Sequence, residues 1–363
     1  MKEMETTHLI DLRSDTVTTP TAAMYAAMTT APVGDDVLGD DPTVKRLERL
    51  AAERVEKEAS LFLPSGTMAN LVALMVHAVP GEEVILERTS HIYWGEGGGV
   101  SRIAGLHPKP VDAPTGRLPL DEVRALIVRE DRYHASRTAL ICLENTHNAR
   151  GGVPVSLTHT RAIAALAREN ELATHLDGAR LFNAAVALQV SPRALCEPLD
   201  SVMFCLSKGL CAPIGSVLAG AGPFIQRARK LRQLLGGGMR QAGVVAAAGI
   251  VALDAMPEQI AEDHRLAALL AERLTGIPKL SILPVEIRTN MVFVRIDGSQ
   301  DGKQTLLSGL ARQGVLCQPW VGPVIRLVTH YGITEDDVEA TASAFRGAMD
   351  EIEGRLEEGR RAD

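Results

Sequence analysis

No run in this chain has the length and apolarity of a membrane span. The longest apolar stretch, Ala242 to Leu253, is short and broken by glycines, whereas a helix that crosses a bilayer needs about 20 residues. Basic residues are not in excess: the formal charge of -7 leaves no electrostatic footprint for nucleic acid or an anionic membrane. The opening residues Met1 to His8 carry acids and no apolar core, so no secretory signal is expected. The five cysteines, at 142, 196, 205, 211 and 317, show no Cys-x-x-Cys pairing. An odd number without a framework points to a reducing compartment. None of the ten histidines forms a His-x-x-x-His arrangement, and no metal site is expected. Repeats and low-complexity tracts are also absent. These absences together indicate a soluble cytoplasmic protein.

What is present is an alternation of short apolar runs with helical patterns. The runs are Val84 to Leu86, Ala139 to Leu143, Ala173 to Leu176, Val202 to Leu206 and Val217 to Ala219, with helices such as Thr158 to Glu169 between them. Alternation of this kind predicts an α/β fold whose mostly parallel sheet is covered on both faces. From Asp41 to Lys57, apolar residues recur at helical spacing after an Asp41-Pro42 start, the pattern of a capped helix with proline in its first turn. At 363 residues the chain suits one large and one smaller domain. The expected division is an N-terminal arm over 1–20, a large domain over 21–256, and a small α+β domain over 257–363. Pro257 breaks the Ala-rich helix of 241–255 at that boundary. The small domain is expected to hold strands at Met291 to Ile296 and Val324 to Val328, helices at Gly302 to Arg312 and Glu335 to Glu353, and a frayed charged tail.

Two residues lie where such a sheet delivers ligands, beyond the carboxyl ends of its strands. Asp177 begins Asp177-Gly-Ala-Arg180 after one apolar run, and Lys208 sits in Ser207-Lys208-Gly209 after another. A lysine brought there by a buried strand loses hydration, which frees its amine to form a Schiff base. A carboxylate beside it can hold a pyridinium nitrogen protonated. These are the two protein groups that pyridoxal phosphate requires. Taken singly, a lysine such as Lys208 is usually a solvated chain end and Asp177-Gly178 usually a turn.

Leu63-Pro-Ser-Gly-Thr-Met-Ala-Asn70 ends one run and opens a helix, so Ser65, Gly66 and Thr67 are candidates to receive a phosphate at a helix N-terminus. An ordinary serine cap reads the same way. Arg180 and Arg326 have the planar donors that grip a carboxylate, although Arg326 alone is as readily an ion pair in a strand. His91, at the mouth of another strand, is suited to stack on a flat ring or to sit at the surface. Gly236-Gly-Gly-Met-Arg-Gln241 permits close backbone approach, and Arg240 is a candidate to meet a phosphate.

As a set, these segments closely resemble the low-specificity L-threonine aldolases, pyridoxal-phosphate lyases of fold type I. The matching blocks are Asp11 to Thr18, Val33 to Val37, Leu63 to Met68, Leu143 to Asn148, His175 to Arg180, Ser201 to Pro213 and Leu235 to Gly243, in family order over nearly the whole chain. The resemblance implies that Lys208 anchors the cofactor, Asp177 pairs with the pyridine nitrogen, His91 stacks on the ring, and Ser65, Gly66 and Thr67 hold the phosphate. It implies Ser14, Arg180 and Arg326 at the substrate carboxylate, His134 near the β-hydroxyl, and Arg240 in the phosphate region. The implied reaction splits an L-β-hydroxy-α-amino acid into glycine and an aldehyde, within a homodimer or homotetramer whose active sites are shared between subunits. Rival readings are a β-eliminating lyase or racemase on the same fold, or a non-catalytic relative. Two positions depart from the family pattern, Leu38 in place of tyrosine and Gly95 in place of an aromatic. Both predict a roomier, less polar pocket that favours larger aldehydes.

Overall fold

A computed structural model describes residues 8–130, 133–283, 289–297 and 300–362. The chain divides into two compact units, one of Thr19–Glu258 and one of the N-terminal segment through Thr18 with Gln259 onward.

The first unit is built on a seven-stranded sheet. Its strands, in chain order, are β1 (Ala59–Leu63), β2 (Glu83–Glu87), β3 (His107–Val111), β4 (Thr138–Glu144), β5 (Ala173–Asp177), β6 (Ser201–Cys205) and β7 (Ser216–Gly220). Their spatial order is β1-β7-β6-β5-β4-β2-β3. β7 runs antiparallel to both its neighbours, while the β6-β5-β4-β2-β3 pairings are all parallel. The central strands are buried along their whole length, which is why they read as continuous apolar runs rather than alternating ones. β3, with its sequence His-Pro-Lys-Pro-Val, escaped the sequence reading because two prolines and two polar residues hide an edge strand.

Helices cover the sheet. α1 (Ala22–Thr30) and α2 (Pro42–Val55) are followed by α3 (Gly66–His77), α4 (Leu157–Glu169), α5 (Leu181–Leu188), α6 (Gly222–Leu234) and α7 (Gly243–Ala255). α2 begins as its sequence predicts. Asp41 Oδ1 accepts from the amides of Thr43 and Val44 at 3.0 and 2.9 Å, and Pro42 occupies the first turn. Val44, Leu47, Ala51 and Val55 form its buried stripe. On one face of the sheet, Leu61, Leu63, Met203, Cys205 and Leu218 pack against Ala69, Val72, Ala73 and Val76 of α3 and Phe224, Ile225 and Ala228 of α6. A buried ion pair lies under this face: Arg232, 2% exposed, meets Asp36 at 2.7 Å and donates to the carbonyl of Phe62 at 2.8 Å. α7 is buried along Ala246, Ala248, Ala252 and Leu253 and packs on α1 and α2. The helical stretch Gly243–Leu274, which includes α7, is longer than the apolar run counted in the sequence. By length and composition it meets the requirement of a bilayer span, with mean hydropathy 1.4, yet half of that apolar window is buried inside the protein, as in a core helix.

The second unit carries an antiparallel sheet of β8 (Leu280–Leu283), β9 (Met291–Ile296), β10 (Gln318–Pro319) and β11 (Val324–Val328), in the order β10-β11-β9-β8. Alternation sorts its two faces. Val292, Val294, Ile296, Ile325 and Leu327 join the core made with α8 (Ile260–Leu274), α9 (Gln300–Arg312) and α10 (Glu335–Ala362), while Met291, Phe293 and Val328 form a smaller cluster on the reverse side. The expected N-terminal arm belongs to this unit in its described part. Ile10 and Asp11 pair in parallel with Val315 and Leu316, and Leu12 is buried. α10 runs on to Ala362, so the helix does not stop at Glu353 and the frayed tail expected there is a helical continuation. The residues Met1 to Thr7, read for a signal, lie outside the described ones.

Candidate active site

In the first unit, the carboxyl ends of the parallel strands gather most of the predicted residues. Asp177 is the last residue of β5, and Lys208 lies three residues past the end of its neighbour β6. The turn that presents Lys208 is tied back on itself. The amide of Cys211 donates to the Lys208 carbonyl at 2.8 Å, with Cys211 at φ 62°, and the amide of Ala212 donates to the carbonyl of Leu206. The Lys208 side chain is half-buried.

Asp177 is buried and held from two sides. Its Oδ1 accepts from the amide of Ala179 at 3.0 Å and its Oδ2 from Asn70 Nδ2 at 2.9 Å. The two donors fix the orientation of the carboxylate. Asn70 comes from α3, whose start is Ser65-Gly66-Thr67. Ser65 is the cap, its Oγ accepting from the amide of Met68 at 3.2 Å. Gly66 is demanded by packing, since a Cβ there would lie 2.9 Å from both Cys205 Sγ and Met203 Cε of β6. The helix N-terminus is thereby pressed against the strand that leads to Lys208.

His91 follows β2 in a π-helical turn, His91–Gly95. Its Nδ1 lies 3.0 Å from Glu96 Oε1, and Asn70 Nδ2 donates to the same carboxylate oxygen at 2.8 Å. The Glu96 contact holds the imidazole pKa above its ordinary value against the opposing effect of burial, while burial pushes the Glu96 carboxyl up. His91, Glu96 and Asp177 each bring a potential ligand atom within 4.8 Å of the others. No spacing motif marks this trio because Asp177 comes from a different strand than the turn that carries His91 and Glu96. The expected spaciousness around Gly95 is not what the structure shows. A Cβ at Gly95 would sit 2.7 Å from His91 Cδ2 and 2.9 Å from Nε2, so the volume vacated by an aromatic is taken by the imidazole. Leu38 is 72% exposed in the turn after Asp35.

Glu144, at the end of β4, braces two of these loops. Its Oε2 accepts from the amide of His91 at 2.6 Å and its Oε1 from the amide of Asn148 at 2.8 Å. Asn148 Oδ1 in turn accepts from Arg180 Nη1 at 3.3 Å, and Arg180 is buried at the start of α5. One strand further, Glu87 at the end of β2 is drawn down to about 2 by His147, Arg150 and Thr89 despite burial that acts to raise it.

Two further predicted residues of the first unit are exposed. Arg240 is exposed and paired with Asp35 at 2.9 Å. His134 is exposed, with Tyr133 packed edge-on at 4.5 Å. Ser14 and Arg326 belong to the second unit. Ser14 Oγ caps the turn Asp15–Val17 by accepting from the amide of Thr16 at 3.2 Å. Arg326 is buried, donates to the carbonyl of Arg13 at 3.0 Å, and lies 5.0 Å from the centre of the Trp320 ring. It is a fixed guanidinium rather than a solvated strand residue. Asn70, Glu96 and Glu144 were not singled out from sequence, although Glu144 falls inside a recognisable block and Asn70 two residues past the end of another. Only strand order reveals what they touch.

A seven-stranded sheet with one opposed strand, ending in a buried aspartate beside a lysine-bearing turn, defines the class. The chain belongs to the β-eliminating lyase family, whose model matches residues 11–297. Within it, the chain is one of the low-specificity L-threonine aldolase family. It is 46% identical to low-specificity L-threonine aldolase 1 of Arabidopsis thaliana over 94% of this chain and 96% of that protein. It is 44% identical to the low specificity L-threonine aldolase of Escherichia coli (strain K12), over 94% and 99%. Among solved structures, a threonine aldolase of Leishmania major superposes with a TM-score of 0.79 at 19% identity, covering 93% of this chain and 98% of that one. This last likeness is one of fold.

Proposed function

We propose that this protein is a pyridoxal-phosphate-dependent aldehyde-lyase that cleaves L-threonine and related L-β-hydroxy-α-amino acids to glycine and an aldehyde. The observation that carries the reading is the placement of Asp177 and Lys208 at the same edge of adjacent parallel strands, in a chain 44% to 46% identical to threonine aldolases over nearly its full length.

The residues fit the cofactor. A buried carboxylate held by two donors is what a protonated ring nitrogen requires opposite it, and the close contact of Gly66 with β6 sets a helix N-terminus beside the lysine turn. When bound, pyridoxal phosphate supplies the electron sink into which the bond between Cα and Cβ breaks. Lys208 would hold the cofactor through its amine and is placed to move protons nearby. Asp177 holds the proton on the ring nitrogen. His91, braced through its amide by Glu144, offers an imidazole face to the flat ring, and Ser65 and Thr67 present hydroxyls to the phosphate. Arg180 is the first unit's candidate for the substrate carboxylate, positioned by Asn148. A base must take the β-hydroxyl proton, and His134 or an ordered water is our candidate for it.

Cytoplasmic location and a homodimeric or homotetrameric state are part of the proposal. Five free, buried cysteines support the first. β-Elimination is the second reading, favoured by the family that the chain matches. Product analysis separates the two: glycine and acetaldehyde from threonine for aldol cleavage, a keto acid and ammonia for elimination. Wild-type protein incubated with pyridoxal phosphate is expected to gain visible absorbance and to retain the cofactor after borohydride, and Lys208→Ala to lose both. A wild type that takes up no cofactor would overturn the proposal.

A further inference from the structure

Behind Asp177, four side chains of the first unit form a single hydrogen-bonded file. Asn70 and His77, seven residues apart, share one face of α3. His175 in β5 and Ser201 in β6 are register partners on adjacent strands. His77 Nε2 lies 2.6 Å from Ser201 Oγ, which is 2.9 Å from His175 Nδ1. His175 Nε2 is 3.0 Å from Asn70 Oδ1, and Asn70 Nδ2 donates to Asp177 Oδ2 at 2.9 Å.

The last member sets the direction of all the others. The amino group of Asn70 donates to carboxylate oxygens of both Asp177 and Glu96, leaving its oxygen toward His175. That oxygen needs a donor, which places the His175 proton on Nε2. Its Nδ1 is then a lone pair that requires the Ser201 hydroxyl proton. The serine oxygen in turn accepts from His77 Nε2. Burial depresses the His175 imidazole to about 3 and the His77 imidazole to about 4, so both are neutral at pH 7 and each has one proton to give. Every donor in the file points toward Asp177.

We infer that Asn70, His175, Ser201 and His77 act together as positioning residues for Asp177, fixing its carboxylate and directing four aligned donors toward it where it would face the cofactor's ring nitrogen. The inference rests on the pyridoxal-phosphate reading above. None of the four touches the reacting atoms. Chains of hydrogen bonds in a low-dielectric interior polarise one another, so even the distant members, Ser201 and His77, bear on Asp177.

The test begins with histidine 15N shifts of the unliganded protein at pH 7. His175 and His77 are expected to be neutral and protonated on Nε2. A His175 proton on Nδ1, or a doubly protonated ring, would overturn the file. The second arm measures the dissociation constant for pyridoxal phosphate in wild type, His175→Leu, His175→Gln and Ser201→Ala. Loss of the donor to Asn70 in His175→Leu is expected to weaken binding about tenfold, the scale of one hydrogen bond linked to a charged group. His175→Gln keeps an N–H for Asn70 and is expected to recover most of it, which a purely space-filling role would not allow. Should His175→Leu fail to fold, Ser201→Ala together with the tautomers decides. A wild type that binds cofactor while Ser201→Ala and any folded His175→Leu match its affinity would sink the file and leave the cofactor reading intact. A wild type that binds none sinks the cofactor reading instead.

Discussion

Glu144→Gln isolates a residue that touches no reacting atom but holds the loops that do. Glu144 is buried, and its two oxygens receive two backbone amides, His91 at 2.6 Å and Asn148 at 2.8 Å. Glutamine keeps one acceptor and sets an amino group against the other N–H. The change removes a charge-assisted hydrogen bond, about 1.5–3 kcal/mol, and leaves a buried amide without an acceptor, about 1–3 kcal/mol. The loops relieve part of this by opening locally, so a net loss of about 3 kcal/mol is expected for the His91 and Asn148 segments. At roughly 1.4 kcal/mol per decade, amide exchange there should quicken about 100-fold. Exchange in the core strands β5 and β6 should change little. The assay is residue-resolved hydrogen exchange, run beside the cofactor dissociation constant. His91 and Asn148 amides that both exchange within threefold of wild type would refute the bracing role.

Three further outcomes are expected. His77 and His175 have pKa values depressed to about 4 and about 3 by burial, so the unfolded chain binds more protons than the folded one below about pH 6.5. Their contribution is present above that pH and is lost on acidification, by about 2 kcal/mol for each at pH 5; urea unfolding at pH 7 and pH 5 should show a smaller loss in His77→Gln/His175→Gln, and an equal loss counts against buried neutral imidazoles. Asp263 is buried near Asp15, and burial first, then the charges of Asp15 and Glu262, raise its pKa from 3.8 to about 8. The stability it lends is complete below about pH 4 and gone as pH rises through about 8, so Asp263→Asn should flatten the fall in melting temperature between pH 6 and pH 9, and an unaltered slope would exclude it as the source. Finally, Gly95→Ala places a Cβ 2.7 Å from the His91 ring and must displace it from Glu96. The His91 pKa should then drop toward its ordinary value, and cleavage of threonine relative to phenylserine should shift; NMR titration showing an unmoved His91 would mean that the turn yields instead.

Periodicity and punctuation in the sequence carried much of this protein. Buried parallel strands are apolar throughout, and helices that start at Asp41-Pro42 or Ser65 announce themselves by local hydrogen bonds, so the strands ending near Asp177 and Lys208 and the helices between them could be read directly. Residue types also carried the cofactor chemistry, because a lysine and an aspartate after consecutive strands have few other joint uses once the surrounding blocks match a family. Strand order and cross-strand register belong to tertiary structure. They alone bring Asn70 against Asp177 and His175, residues 107 and 105 positions away along the chain, and they set Glu144 under His91, 53 positions away. The same holds for Gly95, where composition suggested empty space and packing filled it with an imidazole. Local chemistry is written in neighbouring residues, whereas hydrogen bonds between distant strands depend on where the sheet sets each strand, and no local pattern records that.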